Sequence, residues 1–280
     1  MNLPRRSVED IVTRYELEPE IRDVYVEGVF DREILTQCLR KRGDKVKVVY
    51  EIDSVDVSGE LLDKYGLTSG NKQRVIAFAK ELSGRGVENS YHCLVDRDLD
   101  HWFNPLESIS GLMWTKYNSI ELYFLTEDIL HSILVATAKS KISDWSVFFS
   151  SFIDVLAELY AMRLADRELD LNLSWVDLDK DLGCAGSKLS LDSLGLVDRL
   201  INKNSVFDKK VAFVEATALW VGKLEGDPRL HIRGHDFVKM VAWVIKSLKG
   251  LKIFSSDEAV ERMLVLVSGH VDDLSELIKD

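Results

Sequence analysis

Two short acidic segments hold the residue types most able to do chemistry. One runs Val26-Glu27-Gly28-Val29-Phe30-Asp31; the other runs Asp96-Arg97-Asp98-Leu99-Asp100, with carboxylates at alternate positions. Carboxylates gathered within about 4–6 Å repel and raise one another's pKa. A divalent cation relieves that repulsion, and hard oxygen donors suit Mg2+ or Mn2+, with phosphate oxygens and water completing the shell. Such ions activate water and neutralise charge developing on a phosphodiester. Taken alone, an Asp-x-Asp pair is a weak signal, because solvated acidic loops and helix caps produce it often. Glu27 alone reads equally as an exposed strand end, with Gly28 as its turn residue. The two segments together, each at the end of a strand, are much more specific. Glu27, Asp96 and Asp98 are therefore the candidate catalytic residues and, with Asp100, candidate metal ligands.

The elements that must position these groups are legible in the patterning. Asp23–Glu27 is a short β-rich run ending at Gly28, and residues 30–42 carry apolar positions at Phe30, Ile34, Leu35, Cys38 and Leu39, a helical spacing closed by Gly43. Val46–Ile52 predicts a second strand. A polar stretch then runs through Gly59 and Gly66 to Gly70-Asn71-Lys72, followed by a helix over 73–84, a strand over Tyr91–Asp96 and a fourth strand at Leu112–Thr115. Strands alternating with helices predict a parallel sheet flanked by helices, an α/β fold whose sites form at the carboxyl ends of strands. Beyond about residue 126 the pattern turns mainly helical, with stretches at 144–165, Leu191–Asn202, Asp208–Lys223, His235–Leu248 and Asp257–Val267. Two domains are expected, 1–126 and 127–280.

Composition narrows the function classes. Hydrophobic residues at 46% and charged residues at 30% supply a core and a solvated surface in ordinary proportion. No window approaches the ~18 apolar residues of a membrane span; Val211–Val221 is short and contains Glu215. The first ten residues lack the apolar stretch of a signal peptide. Cys38, Cys93 and Cys184 form no CxxC pair, and the six histidines show no zinc spacing. A reducing, cytoplasmic setting without a membrane is expected. A net charge of −11 does not draw nucleic acid through its overall field. Any nucleic-acid substrate must be engaged locally, through metal ions, a basic patch or a partner protein. No GxxxxGK[ST] is present, so any ATPase function belongs to a separate chain.

At Glu27 and at Asp96/Asp98 the sequence resembles the TOPRIM fold, shared by topoisomerases, primases and OLD-type nucleases, which places a glutamate after its first strand and a DxD after its third. The run Tyr25–Asp31, the turn Gly70-Asn71-Lys72-Gln73-Arg74, the segment Leu94–Asp100 and Tyr117–Phe124 together look like the TOPRIM-like nucleases of bacterial anti-phage defence, with the effector subunit of PARIS-type systems as the best match. Relatives carry an HSIENYL-like segment after DxD. Here Asn118 stands for the histidine and Leu122 for the asparagine, while Glu121 is kept, and the resemblance makes it a further metal ligand. Usable motifs cover residues 22–130. Beyond them only Leu230–Val238 corresponds, with His235 where relatives carry a lysine.

The resemblance implies a Mg2+- or Mn2+-dependent endonuclease, a toxin of an abortive-infection system. It implies an ABC/SMC-like ATPase partner encoded alongside, a phage-encoded trigger acting through that ATPase, and host tRNA as substrate. A homodimer, or docking on the ATPase, is the role open to the helical region besides covering substrate, although the apolar stripe at 145–159 reads first as core. Substrate-facing candidates are Lys72 and Arg74 at a glycine-flanked helix start, Arg97 and His101 beside the carboxylates, and His235. The plainer readings are a helix N-terminal turn, local charge balance and a helix-start residue. His101-Trp102-Phe103 reads as a base-stacking surface or as a loop anchored in the core. Two rivals stand beside the nuclease: a non-catalytic TOPRIM-like interaction module that senses or regulates within a defence complex, and, ranked last, a primase or topoisomerase fragment.

Overall fold

The computed structural model describes residues 5–277. The chain divides into two compact units, Met1–Tyr123 with Glu261–Asp280, and Phe124–Val260. In the first, Ser7 caps α1 (Val8–Leu17) by accepting from the Asp10 N–H at 3.1 Å. The elements β1 (Arg22–Val26), α2 (Val29–Arg42), β2 (Lys47–Glu51), α3 (Gly59–Lys64), α4 (Asn71–Leu82), β3 (Tyr91–Val95), α5 (Asp100–Phe103) and β4 (Leu112–Trp114) follow. Gly43 ends α2 in the left-handed region at φ 73°, which returns its N–H to the carbonyls of Leu39 and Arg40.

The four strands form one parallel sheet in the order β2-β1-β3-β4, with Tyr25 opposite both Tyr50 and Cys93. The sequence reading of an α/β fold with a parallel sheet flanked by helices describes this architecture. Side chains alternate between the two faces. Tyr25, Tyr91, Cys93 and Val95 enter a core shared with α1, α3 and α4. Val24, Val26 and Leu94 alternate to the opposite face, the side on which α2 buries Ile34, Leu35, Cys38 and Leu39. Each such aliphatic side chain contributes about 1.5–3 kcal/mol on full burial. The winding direction reverses between β1 and β3, and in an open parallel sheet the crevice past the carboxyl ends at that reversal is where ligands sit.

The second unit contains α6 (Glu127–His131), α7 (Trp145–Glu168), a hairpin of β5 (Leu182–Ala185) and β6 (Lys188–Leu191), α8 (Ser193–Asn204), α9 (Lys210–Val221) and α10 (Gly234–Ser247). The division between the units falls within α11 (Asp257–Val267), and α12 (Asp272–Glu276) belongs to the first. Along α7, Phe148, Phe152, Leu156 and Leu159 are fully enclosed, so the apolar stripe there is core. Phe152 meets Phe237 of α10 edge-on at 6.2 Å. Arg163 grips the buried Asp236 with two bonds of 2.6 and 2.7 Å and lies 3.8 Å over the Trp175 ring. Among the described residues, no helix is long and apolar enough to cross a membrane.

Several elements differ from the sequence reading. The sequence reading assigns no element ahead of β1, yet α1 forms there with Val8, Ile11, Val12 and Tyr15 on one buried face. The polar stretch before residue 70 contains α3, capped by Ser58. The helical region holds the β5–β6 hairpin, whose alternation is too short to register, and the helix assigned from Leu191 begins at Ser193 behind the Asp192 cap. The boundary set at 126 with a helical region running to 280 also differs, since residues 261–277 fold back onto α2. There the Cys38 thiol donates to the Ser268 carbonyl at 3.2 Å, and Arg262 pairs with Glu33.

Candidate functional site

The reversal point of the sheet gathers the acidic segments. Glu27 follows β1 and Asp96 follows β3. Because those strands are neighbours, the Asp96 N–H donates to Glu27 Oε1 at 3.0 Å. Asp96 Oδ1 in turn accepts the Ile120 N–H at 3.1 Å, which ties the 118–121 loop to the same point. Asp98 adopts φ 49°, a left-handed conformation aspartate tolerates, and its N–H reaches the Asn118 carbonyl at 2.8 Å. Asn71, at the head of α4, donates to the Glu27 carbonyl at 2.9 Å. Glu27, Asp31, Asp96 and Ile120 line one narrow recess with Val26 and Leu94.

Asp31 is the member that sequence reasoning quoted and did not assign. It lies in the first turn of α2, accepts the Gly28 N–H at 3.1 Å, and faces the same recess as Glu27. The available signal was its place in the first helical turn directly after Gly28, where an acidic side chain can turn back to a backbone N–H. Glu121 is the most enclosed of the group at 8% exposure, and its Oε2 is buried without a hydrogen-bond partner.

The electrostatics are those of like charges held together. Withdrawal from solvent pushes the Glu27 carboxyl up to about 7; the Asp96 N–H and Lys72 oppose this, and the charges of Asp98 and Glu121 add to it. Asp31 is raised well above the usual carboxylate range by burial, then by Glu121 and Glu27. Asp96 is raised likewise by burial, then by Asp31, Glu121, Asp98 and Glu27. Strongly perturbed carboxyls clustered in a crevice make it a candidate functional site.

The other sequence candidates separate. Lys72 is inside the site, 3.0 Å from Asp98 Oδ2 and 2.7 Å from Asp100 Oδ2. Arg97 is committed to the Thr115 carbonyl at 2.6 Å. Arg74 is committed to Asp53 at 2.6 Å and to the carbonyls of Ile52 and Val55, so it fastens α4 to the segment after β2. His101, Trp102 and Phe103 are half-buried in α5, and burial followed by Arg97 lowers the His101 pKa while the Asp98 backbone and Asp100 oppose this. His235 belongs to the other unit, exposed in the first turn of α10.

Among the described residues, no three His, Cys, Asp or Glu side chains stand ready as a ligand set. The geometry gives the reason. Glu27, Asp31 and Asp96 each turn one oxygen onto a backbone N–H, and Asp98 and Asp100 embrace Lys72. The donor chemistry nevertheless fits a hard cation: all ligating atoms are carboxylate oxygens, they outnumber the one ammonium among them, and Glu121 Oε2 has no partner. Compared with known proteins, the sequence matches no family model and no curated relative.

Proposed function

We propose that this chain is a Mg2+- or Mn2+-dependent phosphodiesterase of the TOPRIM type, cleaving nucleic acid at the Glu27–Asp96 crevice. The observation that carries the reading is the set Glu27, Asp31, Asp96 and Glu121 enclosed together, with the first three carboxyls pushed upward by burial and by their neighbours. A core gains nothing from such an arrangement until protons or a cation offset its charge, and a cation does so at neutral pH without protonating the site. Asp31, Asp96, Asp98, Asp100 and Glu121 would hold a divalent ion, which supplies positive charge to a phosphate and acidifies water. Glu27, whose carboxyl exchanges its proton near neutrality, accepts the proton of the attacking water. Lys72 supplies the cation nearest the carboxylates for a substrate phosphate.

The TOPRIM-like resemblance extends the proposal to an anti-phage effector that is restrained by an ATPase partner, released on phage sensing, and directed at tRNA. The acidic net charge suits a protein whose contact with nucleic acid is governed by a partner. The test is incubation of the purified full chain with tRNA and with DNA, in Mg2+, in Mn2+ and in chelator, beside Glu27→Ala. Metal-dependent cleavage lost in the variant is the expected result; no cleavage under any metal, or equal cleavage by the variant, overturns it.

One observation favours a second reading, a non-catalytic interaction module. The Lys72 ammonium already bridges Asp98 and Asp100 and offsets one of their two charges, and a site that has given up catalysis would retain such a contact. In that case Glu27→Ala leaves cellular toxicity and phage protection intact.

A further inference from the structure

Lys72 has surroundings unlike those of a surface lysine. Its side chain is 11% exposed. The ammonium bridges Asp98 and Asp100, touches the Arg97 carbonyl at 3.4 Å, and lies 5.3 Å above the centroid of the Trp114 ring. Two carboxylates, a carbonyl and an aromatic face make a cation-binding shell. Lys72 reaches it because it is the second residue of α4, and that helix is fastened nearby through Asn71 to Glu27 and through Arg74 to Asp53. The lysine stem is flexible, while the head of α4 is fixed. The ammonium can therefore leave the carboxylates without moving the helix.

A divalent ion using Asp98 or Asp100 arrives where an ammonium already sits. Two cations on the same pair of carboxylates repel each other. They share the carboxylates poorly, because the oxygens that face Lys72 are those it bonds. We propose that Lys72 is the resident counter-ion of the crevice: a divalent cation displaces it from Asp98 and Asp100, and the displaced ammonium becomes available to a substrate phosphate. This rests on the reading of the crevice as a cation site and adds its order of events. A lysine bound to carboxylates offers little to a phosphate, so anion binding at Lys72 follows metal binding.

The test uses the full chain and needs no turnover. Titration calorimetry with Mn2+ alone compares wild type with Lys72→Met and Lys72→Arg. Removing the competing ammonium is expected to tighten Mn2+ binding by about tenfold, while the arginine variant binds no more tightly than wild type. The second measurement needs no variant. An amine-acylating reagent is applied to wild type in chelator and in Mn2+, with modification of Lys72 followed by peptide mass spectrometry. Lys72 is expected to react faster in Mn2+, and inorganic phosphate is expected to slow it again. Mn2+ that binds wild type yet binds Lys72→Met no more tightly, or that leaves Lys72 equally protected, overturns the displacement and spares the metal site. Absence of Mn2+ binding to both proteins overturns the metal site and the displacement together.

Discussion

The start of β1 and the far end of its neighbour β3 each hold an enclosed carboxylate, and the groups around them act in opposite directions. At the start of the strand, Asp23 accepts Arg14 at 2.7 Å and the Tyr15 hydroxyl at 3.0 Å, and Tyr15 meets the Tyr25 hydroxyl at 2.9 Å. Burial raises Asp23, and Arg14, Tyr15 and Arg6 all bring it down. Past the end of the neighbouring strand, burial raises Asp96, and Asp31, Glu121, Asp98 and Glu27 all raise it further. The first carboxylate has two arginines and a hydroxyl donor set against its charge, and the bonds from Arg14 and Tyr15 both fall on Oδ2. The second is surrounded by copies of its own charge, so its balance must come from protons or from a bound cation. Burial alone does not distinguish structure from function; the sign of the neighbours does.

The comparison breaks most sharply by substitution at each end. Asp96→Asn is expected to lower the proposed metal-dependent phosphodiester cleavage by about 10²–10⁴-fold, the scale of losing a group that acts in the transition state. The same change relieves repulsion, so the melting temperature in chelator should rise. Asp23→Leu should do the reverse. It leaves Arg14 and Tyr15 without their acceptor and costs about 3 kcal/mol in denaturant unfolding, while cleavage per folded molecule is unchanged. A fall in chelator stability for Asp96→Asn, or a loss of intrinsic activity for Asp23→Leu, would erase the distinction between the two ends.

Acidity sharpens the same contrast at smaller amplitude. The Glu27 carboxyl rises from an ordinary 4.5 to about 7 in the fold, so the folded state binds its proton more tightly than the unfolded chain does. Its contribution to stability is present in full below about pH 4.5 and is lost as pH climbs through about 7. In chelator, wild type should therefore lose stability across that window, and Glu27→Gln should lose less. Mg2+ should raise the melting temperature more above the window than below it. Equal Mg2+ stabilisation at both ends of the window contradicts this. The smallest expected effect is at Asp273, which takes bonds from Lys116 and the Tyr117 hydroxyl just ahead of the loop that supplies Glu121. Asp273→Asn should cost no more than about 1 kcal/mol, measured by thermal unfolding.

What the sequence discloses follows from how local each signal is. Glu27 and Asp96 are visible because a β-rich run stops directly before them, and the order of strands then makes them neighbours. Glu121 has no such marker: its segment folds as a short 3-10 turn, and only the motif resemblance singles it out. Asp31 is hidden because it reads as an ordinary acidic residue at a helix start. Arg74 looks available because its acceptor, Asp53, is remote in sequence. The backward fold of residues 261–277 is equally silent, since helical periodicity announces a helix and not the surface it covers.

That backward fold bears on the order in which the molecule is made. The segment carrying Lys116 and Tyr117 leaves the ribosome long before Asp273, and α2 long before Ser268. The first unit therefore waits for its own closing piece while the entire helical unit is synthesised in between. A chain interrupted anywhere within that stretch carries every carboxylate of the crevice and lacks the residues that brace the loop beside them. On the proposed reading, a crevice braced only once residues 261–277 have been made would keep incomplete chains inactive.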